Sequence, residues 1–210
     1  MFAAWQANIS CKTVPVPCLS EKVFERSGRY RDLFTAEHMP IILVRIDDRL
    51  IHGQVVEGWL RVIRVNHIVV ISDQVARDKV QQALLSMAVP SNIKVTNCMV
   101  DEAALKINDS YFESDRILAL LSRPHDVLRL LNAGVKFSSV NVGGMHYSPG
   151  KRQILRNLSV DDSDLAALKE IRSMGIELEG RVLPSDDRID IIEAVHRILG
   201  AEAVKNNGNA

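Results

Sequence analysis

From Ile41 onward, short apolar runs alternate with amphipathic stretches. IILVRI (41–46) has the continuous apolar character of a strand buried on both faces, and HIVVIS (67–72), RILALL (116–121) and SSVNV (138–142), which runs into a glycine-rich loop, read as strands too. IKVTNC (93–98) and IELEGRV (176–182) read as two more strands, and a further strand is expected around 153–158. Between them the period lengthens. Gly53 to Arg64 places Val55, Val56, Trp59, Leu60 and Ile63 on one helical face. Asp78 to Ala88 does the same with Val80, Ala83, Leu84 and Met87. Asp101 to Ile107 reads as a short helix with Asp101 as its cap. Pro124 opens a helix that runs through Leu131 and stops at Gly134. Asp161 to Met174 should bury Leu165, Leu168 and Ile171 and close at Gly175, and Ile189 to Leu199 forms the last helix.

About six βα units in tandem imply an α/β fold, a three-layer α/β/α sandwich around a mainly parallel sheet of about six to seven strands. Such sheets bind ligands outside the carboxyl ends of their strands, which directs attention to residues 47–53, 72–77, 122–124 and 143–152. Residues 1–38 show no sustained period and are set apart as an atypical N-terminal extension, expected to be poorly ordered. Residues 39–200 form the domain, and 201–210 a tail expected to fray.

Composition narrows the classes. Two hundred and ten residues are enough for one well-buried core, and 47% hydrophobic with 25% charged residues is an ordinary globular balance. Lys+Arg and Asp+Glu are 26 each, so no net charge draws the chain to nucleic acid or an anionic membrane. Cys11, Cys18 and Cys98 form no CxxC pair and have no histidine at metal-ligand spacing, which fits a reducing, cytoplasmic setting. No apolar stretch is long enough to cross a bilayer. Neither GxxxxGK[ST] nor GxGxxG is present, so no nucleotide or dinucleotide fingerprint is available.

The densest chemistry is RIDDRLIHGQV (45–55), at the junction of the first strand and the first helix. A group held by His52 would face the unpaired N–H groups of that helix, an anion-binding arrangement, with Gly53 leaving room. An unperturbed imidazole, with a pKa of about 6.5, is mostly neutral and nucleophilic near pH 7. Attack on a phosphoryl donor would give a phosphohistidine. Arg49 would neutralise its oxygens, and Asp47 or Asp48 would fix the tautomer through the other ring nitrogen. The residues alone also allow a histidine that merely caps the loop and an Asp-Asp-Arg cluster that is only an ion-pair network.

RIDDRLIHGQV resembles the active loop of the IIB components of the mannose/fructose/sorbose class of the bacterial sugar phosphotransferase system (PTS). VVISDQVARD (69–78), SSVNVGGMHYSPGKRQI (138–154) and SVDDSDLAALKEIRSMGIELEGRVLPSD (159–186) extend the likeness, in order and spacing, over Pro40 to Leu199. The resemblance implies a phosphotransferase that is a phosphoryl carrier without cofactor or metal. A IIA component, charged from phosphoenolpyruvate through the general phosphocarrier protein, donates to Nδ1 of the histidine matching His52. The group then passes to a sugar held by the membrane components IIC and IID. Arg49 and Asp48 are expected in the catalytic set, with Asp47, Gly53, Gln54 and Ser72 supporting the phosphate. Helix capping is the competing use of Ser72. The chain is expected in the cytoplasm, peripheral to the transporter, with no membrane insertion; a homo-oligomer is left open. The alternative is a regulatory phospho-relay that uses His52 without transport. The paired glycines of NVGGMHYSPGK (141–151) are expected to permit positive φ in a loop beside the site. His146, Lys151, His67, His125 and His196 are given no catalytic role.

Overall fold

The computed structural model describes residues 40–207, with side chains through Gly200; the N-terminal extension, with Cys11, Cys18 and His38, lies outside the described residues. The apolar runs become β1 (Ile41–Asp47), β2 (His67–Ile71), β3 (Lys94–Cys98), β4 (Ile117–Leu121) and β5 (Ser139–Gly144). The expected strand at 153–158 is a hairpin, β6 (Arg152–Leu155) and β7 (Leu158–Val160), which forms its own two-stranded sheet. β8 (Glu177–Gly180) and β9 (Ile189–Asp190) complete the main sheet, whose order is β3-β2-β4-β1-β5-β8-β9. Every pairing in that sheet is parallel except β8 with β9.

The period of two in the strands divides the core into two layers. Ile117, Ala119 and Leu121 of β4 join one cluster, while Leu118 and Leu120 join the other. The first layer packs under α4 (Val100–Asn108), α5 (Pro124–Asn132), α6 (Asp162–Ser173) and α7 (Ile191–Asn207). The second lies under a π-helix (Gln54–Trp59) that runs into α1 (Leu60–Ile63), then α2 (Asp73–Arg77) and α3 (Lys79–Met87). This is the three-layer α/β/α sandwich expected of the sequence.

Four expectations are corrected. The expected helix over Gly53–Arg64 opens with π-helical turns, which keep Val55 and Trp59 buried. In α3 the expected inward face points out: Val80 is 71%, Leu84 62% and Met87 82% exposed. Asp78 caps this helix through the N–H groups of Val80 and Gln81, and Gln82 donates to the carbonyls of Val75 and Ala76 at 2.9 and 2.8 Å. Those bonds set its rotation so that Leu85 turns inward instead. Asp101 is not a cap, because α4 begins one residue earlier and its first N–H, from Val100, is held by Asp73 at 2.9 Å. The last helix starts only after Ile189 and Asp190 have paired as β9, and it runs to Asn207. In α6 the expectation holds: Asp161 and Asp164 form a capping box and Leu165, Leu168 and Ile171 are buried.

Candidate functional site

Strand parity places Arg45 and Asp47 on the same face of β1, opposite Val44 and Ile46, and both side chains are fully buried. Arg45 Nη2 donates to Asp47 Oδ2 at 2.8 Å and to the Val182 carbonyl at 3.3 Å. Nη1 donates to the buried Asn141 side chain and to the Arg181 carbonyl at 3.1 Å. The Arg45 and Arg181 guanidiniums each lie 5.3 Å from the centre of the Trp59 ring. Burial depresses the Arg45 pKa below its usual value, against the pull of Asp47. Gly143 makes the arrangement possible: a Cβ there would fall 1.9 Å from Arg45 Cζ. The paired glycines Gly143 and Gly144 are therefore extended residues of β5 rather than a loop of positive φ.

Asp47 carries the buried charge forward to the loop. Its Oδ1 accepts from the backbone N–H and from Nε of Arg49, both at 3.3 Å. Its Oδ2 lies 3.7 Å from His52 Nε2. The loop itself is fixed by the Asp48 N–H on the Gly144 carbonyl at 3.1 Å and by a turn from Leu50 N–H to the Asp47 carbonyl at 2.9 Å. Leu50 has φ of 57°, a left-handed conformation uncommon for a side chain of its size. Its carbonyl meets His52 Nδ1 at 2.9 Å, and Gln54 Oε1 meets Nε2 at 2.5 Å. A carbonyl only accepts, so Nδ1 carries a proton in this arrangement. Both contacts are satisfied by an imidazolium, or by the Nδ1–H tautomer once the Gln54 amide turns its NH2 towards Nε2.

His52 is mostly enclosed, with 16% of its side chain exposed, and opens onto a cavity of about 800 Å³. Arg49 and Gln54 share its wall, and Val62, Leu183 and Pro184 supply apolar surface. Among the described residues no atom comes within 4 Å of a Cβ built on Gly53, so they leave the space beside His52 open. On the helix, Gly58 lets the Leu183 segment approach closely: a Cβ there would meet Leu183 Cδ2 at 2.8 Å.

The structure thus brings together His52, Arg49, Asp47, Gly53 and Gln54. It does not bring Asp48 or Ser72 to the imidazole. Asp48 faces the β5–β6 loop, where His146 presents Nδ1 and its backbone N–H to it, each at 2.6 Å. Ser72 is buried, caps α2 through the Val75 N–H at 3.4 Å, and lines a different cavity. Lys151 is held by Asp164 at 2.8 Å, and His67 sits between Asp115 and Thr96. The support behind the site, Arg45 with Asn141, Trp59 and Gly143, has its sequence signal in the polar residues that interrupt apolar strands. Among the described residues there is no group of three His, Cys, Asp or Glu able to hold a metal, and no helix long and apolar enough to cross a membrane.

The family described as PTS system sorbose subfamily IIB component matches residues 41–207. The sorbose-specific EIIB component of Klebsiella pneumoniae is 35% identical over 164 residues, which span 78% of this chain and all of that one. The mannose-specific EIIAB component of Escherichia coli K12 is 41% identical over 77% of this chain, a match that takes in 50% of the longer protein. Among solved structures, the IIBSor domain of the Klebsiella pneumoniae sorbose permease aligns with a TM-score of 0.72 at 35% identity, covering 75% of this chain and 96% of that domain. The N-acetylgalactosamine-specific IIB component 1 of Escherichia coli aligns at 0.68 and 34%, over 72% and 99%. Parallel sheet, histidine loop and relatives define a transferase component of the sugar phosphotransferase system. The chain belongs to its mannose/fructose/sorbose class, as a sorbose-subfamily IIB component.

Proposed function

We propose that His52 accepts a phosphoryl group from a IIA component and passes it to a sugar held by the IIC and IID membrane components. The observation that carries this reading is the placement of His52 at the mouth of an open cavity, with Arg49 beside it and a buried carboxylate behind it. To attack through Nδ1, the ring leaves the Leu50 carbonyl and keeps its proton on Nε2, where Gln54 Oε1 accepts the hydrogen bond and the Asp47 carboxylate lies 3.7 Å away. The Nδ1 lone pair forms the new P–N bond as the bond to the IIA histidine breaks. Arg49, whose side chain is 36% exposed, offsets the charge on the transferred oxygens. In the second transfer a sugar hydroxyl takes the group and the imidazole returns to its resting contacts.

Asp47, rather than Asp48, is the acid that orients His52 on this reading. The names of the relatives, a sorbose-specific component and a permease domain, favour transport over a purely regulatory relay. The chain then works on the cytoplasmic side, docked to the membrane components. The test is two-stage. The chain is labelled by phosphoenolpyruvate, enzyme I, the phosphocarrier protein and a cognate IIA, and then offered vesicles holding IIC and IID with sugar. The label should discharge onto the sugar, and Arg49→Ala should slow transfer by about 10²-fold or more. Label that forms but never discharges would favour the regulatory relay.

A further inference from the structure

The carboxyl ends of β2 and β4 open into a second cavity, of about 510 Å³, that shares no lining residue with the first. Its wall carries three arginines, Arg77, Arg123 and Arg129, against two acids, Asp73 and Asp126. Arg129 answers both acids: its Nη1 lies 2.7 Å from Asp73 and 3.6 Å from Asp126, while Nη2 reaches Asp101 at 2.8 Å. Among the described residues the Arg77 and Arg123 guanidiniums make no side-chain hydrogen bond or close ion pair, although the charge of Arg77 acts on Asp73 and that of Arg123 on Asp126, so both keep N–H groups to donate. Ser72 and Ser122 add hydroxyls at the ends of the two strands. Ser72 Oγ uses a lone pair on the Val75 N–H and keeps its own proton to donate.

We propose that this cavity binds a phosphate monoester of a small polyhydroxylated molecule, its phosphate held by Arg77 and Arg123 with Ser72 and Ser122. Guanidinium forks match phosphate oxygens, and serine hydroxyls complete such a cradle. The volume exceeds what a bare phosphate fills, and Gln74 offers amide groups to ligand hydroxyls. Among the described residues the wall has no aromatic ring on which a nucleobase could stack, which disfavours a nucleotide. The location, beyond the carboxyl ends of parallel strands, is where sheets of this kind bind small molecules. Asp73 and Asp126 both oppose an anion here; Arg129 offsets Asp73 at 2.7 Å but stands 3.6 Å from Asp126, so Asp126 supplies a variant with the opposite sign.

The site stands apart from His52, so its test does not depend on the phosphoryl-carrier reading. The amide NMR spectrum of the full chain is followed while glucose 6-phosphate, glucose or inorganic phosphate is added. Glucose 6-phosphate should give saturable shifts at Ser72, Gln74, Ser122 and Arg123, with half-saturation in the millimolar range or below. Inorganic phosphate should bind there more weakly, and glucose should not bind. Replacing both exposed arginines, Arg77→Ser with Arg123→Ser, should weaken binding at least tenfold, and Asp126→Asn should tighten it. Shifts that do not saturate, that fall on the His52 loop instead, or that are unchanged in the double variant would overturn the proposal. Equal affinity for inorganic phosphate would overturn the assignment to a monoester.

Discussion

Arg45→Met should be among the most damaging single changes in the site loop, although Arg45 never reaches the cavity. The guanidinium is fully buried and neutralises an equally buried Asp47 at 2.8 Å. Methionine keeps the apolar stem and removes the charge, so Asp47 keeps only longer contacts, to the N–H and Nε of Arg49 at 3.3 Å and to His52 Nε2 at 3.7 Å. Breaking one partner of a buried ion pair costs about 3–5 kcal/mol. In a domain of this size each kcal/mol lowers the melting midpoint by about 2–4 °C, so the expected fall is about 6–20 °C. Asp47→Asn in the same chain removes the stranded charge and should recover part of the loss, with a coupling of at least about 1 kcal/mol. Gly143→Ala reaches the same network from the other side. Its Cβ collides with the guanidinium, so it should cost about 3 kcal/mol in the native chain and much less once Arg45 is gone. Denaturant or thermal unfolding of the native chain and these five variants decides the matter. A melting midpoint for Arg45→Met within about 2 °C of the native chain, or strict additivity with Asp47→Asn, would refute the reasoning.

Two other outcomes follow from the geometry. Burial pushes the Glu179 carboxyl up, but its bonds to Arg181 and Arg188 outweigh that and hold it below the usual range. Its contribution to stability is therefore complete above the unfolded value of about 4.3 and is lost as pH falls through the lower folded one. The gap in melting temperature between native and Glu179→Gln chains should narrow as pH is taken from 6 towards about 3, and a constant gap would contradict this. Gln54→Leu removes the hydrogen-bond partner of His52 Nε2, so the Nε2 ¹⁵N resonance of the neutral ring should move to that of an unbonded lone pair while Nδ1–H stays on the Leu50 carbonyl. An Nε2 resonance equal to that of the native chain would remove Gln54 from the site.

Most of the sheet was legible because its strands are short apolar runs, and β2 and β4, buried at every position, bear this out. The helices of the thinner layer were harder to read. Val80, Leu84 and Met87 have perfect helical spacing, but four hydrogen bonds, two accepted by Asp78 and two donated by Gln82, outrank that periodicity and turn the stripe to solvent. The π-helical turns after Gly53 still bury Val55 and Trp59 of the expected face and half-bury Val56, Leu60 and Ile63, so hydrophobic pattern cannot reveal them. In the loop, the choice between Asp47 and Asp48 was latent in the parity of β1. A strand that runs to Asp47 puts it on the face of Arg45, whereas Asp48 is already in the turn. Pairing of Asp48 with His146 joins residues 98 positions apart and has no local signature.

The most direct test of the central claim is to map the phosphoryl group itself. Chain labelled through the cognate IIA is digested at alkaline pH, where a phosphohistidine survives, and the modified peptide is sequenced by mass spectrometry. The group should lie on His52, be lost in acid, and be absent from a folded His52→Ala chain. Native-level labelling of that variant, or a phosphoryl group found on His146 instead, would contradict the account.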